Sequence, residues 1–87
     1  MYTPDPEMLR VIELRFTCHP PHSNQAERYE FIREKAKEFA KLLLELTPHS
    51  QEQSIALMKL EECVMQADAA IARNEQPPTK PMIQTLN

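Results

Sequence analysis

Three prolines set the layout of this chain. Pro20 and Pro21 stand together and Pro48 stands alone. Each fixes its own φ, offers no N–H and pushes the residue before it out of the α region. Residues 17–23, Thr17-Cys18-His19-Pro20-Pro21-His22-Ser23, therefore read as a stiff non-helical loop, and Thr47-Pro48-His49-Ser50 as a tight link. No glycine occurs anywhere in the 87 residues, so Pro, Asn, Ser and Asp must make every turn. That keeps the unfolded chain stiff and favours a helix-rich product.

The stretches between these breaks carry helical periodicity. From Gln25 to Leu46, the residues Tyr29, Ile32, Ala36, Phe39, Leu43 and Leu46 recur at alternating spacings of three and four, which places them on one stripe. Asn24 with Glu27 predicts a capping box at the start. The pairs Glu30/Arg33, Glu34/Lys37 and Glu38/Lys41 predict a solvated flank, each worth about 0.2–0.5 kcal/mol. A second helix is expected from about Gln51 to Asn74, opened by Ser50 and Gln53 as another capping box. Its main stripe is Leu57, Leu60, Val64, Ala67 and Ile71, and a second stripe of Met58, Met65, Ala69 and Ala72 lies offset from it. A link as short as residues 47–50 favours antiparallel neighbours. One stripe packs on the first helix, and the other needs a partner.

The fold expected is thus an all-α antiparallel helical hairpin that assembles into a homo-oligomer. Residues 1–16 form a short helix or N-terminal arm, residues 17–75 the loop plus hairpin, and residues 76–87 a flexible, proline-rich tail. This is one small domain, near the size at which a single core stops supporting itself. Cys18 and Cys63 make no disulfide framework, and neither a signal peptide nor a membrane-spanning run is present, which predicts a reduced, intracellular, soluble protein without a membrane partner. A net charge of −3 argues against a DNA or RNA polymer as partner. Small anions need only a few local arginines.

The candidate chemistry is sparse. Cys18, His19 and His22 are three ligand-type residues in one loop, with Cys63 or His49 as a distant fourth, but the paired spacing of a zinc site is missing. There is no Gly-rich phosphate loop, nucleophile elbow or carboxylate pair, so the chain reads as a non-enzyme that needs no cofactor. Arg28 and Arg33 lie in the first turns of the first long helix, beside the loop, and arginine grips phosphate through its planar fork. They are roughly 140° apart around the helix and do not form one patch within a protomer. Arg73 also complements the C-terminal end of the second helix.

From Arg15 to Glu75 the chain resembles the helical-hairpin domain of the phage anti-CBASS and anti-Thoeris cyclic-nucleotide sponges. The resemblance rests on the order and spacing of Phe16-Thr17-Cys18-His19-Pro20-Pro21, Gln25, Glu27-Arg28-Tyr29, Ile32-Arg33, Lys35-Ala36 and Ala40. It continues through Pro48, Ser50, Ser54, Ala56-Leu57, Lys59-Leu60-Glu61-Glu62 and Ala69-Ala70-Ile71-Ala72-Arg73-Asn74. It implies a homohexamer in the cytoplasm of an infected bacterium that holds cyclic oligonucleotide immune signals without degrading them. Cyclic dinucleotides or cyclic ADP-ribose-type signals would bind between protomers, and cyclic trinucleotides near a threefold axis.

By the same resemblance, Arg33 is the basic residue at a ligand phosphate. Cys18 stands where the family commonly has a stacking aromatic, so the base-side contact passes to His19, Pro20 or Tyr29, with Arg28 close by. Gln66 replaces a second aromatic. Arg73 and Lys35 are the candidates for the trinucleotide site. Two other classes compete: a helical adaptor that docks a host protein on its Met58/Met65 face, and a small zinc-binding regulator built on Cys18, His19 and His22.

Overall fold

A computed structural model describes residues 2–75. The proline-rich segment 76–87, expected to be a flexible tail, lies outside the described residues. Three helices follow in order: α1 over Pro6–Phe16, α2 over Gln25–Leu46 and α3 over Gln51–Asn74. The first segment, left open between arm and helix, is helical. Asp5 caps it by accepting from the Glu7 N–H at 3.2 Å, and Pro6 sits in the first turn, where a missing N–H costs nothing.

The helix starts differ from the capping boxes expected. At α2 the Asn24 side chain makes no cap bond and accepts instead from Arg28 Nε at 3.1 Å. The chain enters α2 through Ser23 at φ 54°, a left-handed conformation that glycine would adopt without strain. At α3 half of the box forms, with Ser50 Oγ accepting from the Gln53 N–H at 3.1 Å. The Gln53 amide does not return to Ser50. It donates to the Thr47 carbonyl and the Thr47 Oγ1, both at 3.0 Å.

Helices α2 and α3 form the antiparallel hairpin and are the only pair of elements in extensive contact among the described residues. On α2 the inward line is Gln25, Tyr29, Ile32, Ala36, Ala40 and Leu43. Phe39 and Leu46, expected on this stripe, are 50% and 72% exposed. Alternating steps of three and four average 3.5 residues per turn and drift off a 3.6-residue helix, so Ala40 takes the place of Phe39. On α3 the expected line of Leu57, Leu60, Val64, Ala67 and Ile71 is half-buried throughout. Glu30–Arg33 and Glu34–Lys37 pair as expected, whereas Glu38 pairs with Lys35 rather than Lys41.

The chain is a slab. Its Cα extents are 59 × 41 × 13 Å, and its radius of gyration is 18.4 Å, against about 12 Å for a compact chain of this length. Among the described residues only Gln25 and Gln53 are buried, and no aliphatic or aromatic side chain is. Met8, Leu9, Ile12 and Phe16 of α1 and Met58 and Met65 of α3 remain open to solvent. An apolar surface of this extent on a small chain marks an interaction face. None of the described helices is long and apolar enough to cross a membrane.

Candidate functional site

The open end of the hairpin positions the loop. Gln25, 2% exposed, is the most buried residue of the described chain. Its Oε1 accepts from the His22 N–H at 3.1 Å. Its Nε2 donates to the Glu75 carbonyl at 3.2 Å, just beyond the last turn of α3, and lies 3.4 Å from Glu75 Oε1. His22 Nε2–H also donates to the Glu75 carbonyl, and Arg28 makes a two-pronged ion pair with the Glu75 carboxylate. The Arg28 guanidinium, by hydrogen bonding, holds the Glu75 carboxyl below its ordinary 4.5, although partial desolvation works against this. At the other end of the loop His19 Nε2–H donates to the Leu14 carbonyl at 2.9 Å. The proline loop is thereby pinned to α1 on one side and to the end of α3 on the other.

Two recesses flank this loop and share Thr17, His19 and Ala72 as their dividing ridge. The first is lined by Cys18, Pro20, Pro21, His22 and Gln25 and is largely apolar. The second collects Arg15 from the end of α1, Tyr29 and Arg33 from α2, and Asp68 and Arg73 from α3. Its volume of about 360 Å³ falls at the low end of small-molecule sites. Tyr29 and Arg33 are one helical turn apart and so share a face. Asp68 Oδ1 is buried and accepts no hydrogen bond among the described residues. The pair of recesses offers guanidinium groups to an anion and a flat, stiff apolar wall beside them.

The family model of the Acb2/Tad1 hairpin domain matches residues 8–72, well over half of the chain. The chain belongs to that family. These are the anti-CBASS and anti-Thoeris sponges, which sequester cyclic nucleotides and are known as binding proteins rather than enzymes. Searches of curated proteins and of solved structures find no match. The family match begins at Met8, inside α1, earlier than the resemblance at Arg15.

In this Acb2/Tad1 hairpin the residues singled out from sequence divide into four places. His19, Tyr29, Arg33 and Arg73 come together in the basic recess, and Cys18, His19 and Pro20 line the apolar one. Arg28 turns to Glu75 instead. Lys35 lies on the opposite face of α2 from Arg33, 5.5 Å above the Phe31 ring and paired with Glu38, so one protomer does not bring it to Arg73. Two residues apart on a helix means about 200° of rotation.

His19 and His22, two of the three residues of the zinc alternative, each turn Nε2 to a backbone carbonyl. Among the described residues no His, Cys, Asp or Glu cluster is arranged to hold a metal. Both cysteines are free and exposed. Sequence reasoning missed Arg15, Asp68 and the structural part of Gln25. Gln25 had a signal: it continues the stripe one step before Tyr29, where a polar residue needs partners.

Proposed function

We propose that this protein is a non-enzymatic sponge for cyclic oligonucleotide immune signals, acting as a homohexamer in the cytoplasm of a phage-infected bacterium. The observation that carries the reading is the convergence of Arg15, Arg33 and Arg73 in one recess beside the stiff apolar loop of an Acb2/Tad1 hairpin. A cyclic dinucleotide or cyclic ADP-ribose-type signal joins anionic phosphates to flat bases. Arginine forks suit the phosphates. The wall formed by Cys18, His19 and Pro20, with Tyr29 nearby, suits a base.

Assembly supplies the rest of the pocket. The recess is open in one protomer, and the apolar faces of α1 and of Met58 and Met65 seek cover. A second copy related by a twofold axis would close a seam around a twofold ligand, and a threefold axis would suit a cyclic trinucleotide held by Arg73 and Lys35 from different protomers. The protein then works by mass action, holding the free signal below the level that triggers its effector.

The test is calorimetric titration against a panel of cyclic di- and trinucleotides and cyclic ADP-ribose isomers, together with the mass in solution. The expected result is tight binding, intact ligand recovered after heat denaturation, and a particle six times the 10.1 kDa protomer. Arg33→Ala should cost about 2 kcal/mol of binding, the scale of a charged hydrogen bond. Cleaved nucleotide would make the protein an enzyme. A monomer without any heat of binding would leave the exposed methionine face to a protein partner instead.

A further inference from the structure

We propose that Arg28 and Glu75, with Gln25, are positioning residues for the nucleotide site, forming a latch that holds the proline loop in its binding conformation without touching the ligand. The inference rests on the sponge reading for its binding readout, and on the geometry alone for the rest. Glu75 lies beyond the last residue of the family match, yet it gathers long-range polar contacts from the loop's His22 and from Gln25 and Arg28 at the start of α2. Its carbonyl accepts from Gln25 and His22, and its carboxylate takes both prongs of Arg28. Gln25 in turn holds the His22 N–H, two residues after Pro20. Because Pro20 and Pro21 allow little internal bending, a displacement of His22 is carried through to Cys18, which lines the apolar recess, and to His19, which borders both.

The latch also explains why Arg28 is not a ligand arginine. Arg28 already has two carboxylate oxygens and the Asn24 Oδ1 as acceptors, whereas Arg33, among the described residues, pairs with its exposed neighbour Glu30. A fork satisfied by a carboxylate in fixed geometry has little capacity left for a phosphate. Arg33 exchanges one exposed partner for a better one.

A charge swap separates positioning from contact. Arg28→Glu alone and Glu75→Arg alone should each weaken binding of the tightest cyclic dinucleotide by about tenfold, chiefly through faster dissociation. The double variant should return to within about threefold of the native affinity, as a coupled pair does in a double-mutant cycle. A double variant as weak as Arg28→Glu alone would mean that Arg28 contacts the ligand, and single variants with native affinity would mean that the loop does not need the latch. Either result overturns the proposal.

A milder variant, Glu75→Gln, gives a ligand-free reading that also covers any failure of the swapped chains to fold. Hydrogen exchange at the His22 amide should accelerate several-fold while amides near Val64 keep their protection, and unchanged exchange at His22 overturns the latch. If the native protein binds no cyclic nucleotide, the sponge reading falls and the exchange measurement still decides the latch.

Discussion

The two ends of the hairpin are built around the same residue type used at different range. At the closed end Gln53 is buried and bonds to Thr47, six residues away, and its own N–H is capped by Ser50. At the open end Gln25 is buried and bonds to Glu75, fifty residues away. The closed end holds itself together with its own turn. The open end holds together only when both long helices are complete and in register. A buried amide is costly when unpaired, so each glutamine specifies its end of the fold, but only the open one reports on the whole hairpin.

The largest effect expected from breaking this contrast is at Gln25. Gln25→Ala should destabilise the fold by about 3 kcal/mol, since it strands the His22 N–H and removes one of the two donors to the Glu75 carbonyl, while Gln53→Ala should cost about 1 kcal/mol beside a turn that water can reach. Denaturant unfolding of the two variants side by side checks this, and equal losses would show that range does not matter.

Acid should separate the ends next. The Glu75 carboxyl is held below 4.5 by the hydrogen bond from Arg28, then by that from Gln25. A depressed carboxyl contributes stability above its ordinary value and loses that contribution as pH falls through its lowered one. The bonds of Gln53 involve no titrating group. The side-chain NH₂ resonances of Gln25 should therefore shift as the pH falls below 4.5 and Glu75 takes up its proton, while those of Gln53 hold still. Parallel movement of both would break the distinction.

The smallest effect is expected at Ser23, the single left-handed residue among those described. Relief of the side-chain clash there exceeds the added freedom of the unfolded chain, so Ser23→Gly should stabilise by about 0.5 kcal/mol. A shift of the midpoint downward would mean that the serine hydroxyl, which lies 3.2 Å from His22 Nδ1, matters more than the backbone.

The same contrast of range explains what could be read from the sequence. The helix bounds Gln25–Leu46 and Gln51–Asn74 follow from proline stops and local caps, and they stand as expected. The Thr47–Ser50 turn and the Ser50 cap were legible for the same reason. Partners across nearly fifty residues were not, which is why Arg28 read as a phosphate arginine. Arg33, Tyr29 and His19 do share a recess, but Arg15 entered it only because α1 ends beside the loop, a matter of chain path rather than pattern. Phe39 was misplaced by about 20° of drift per heptad, a local error with a local cause.

The thickness of the slab has one more consequence. With 13 Å from face to face and no buried aliphatic or aromatic side chain among the described residues, the single chain leaves many large apolar side chains open to solvent. In the proposed hexamer its folding free energy contains a concentration. Where copies of the chain cover one another, the midpoint of unfolding rises with total protein, and dilution unfolds what moderate heat does not.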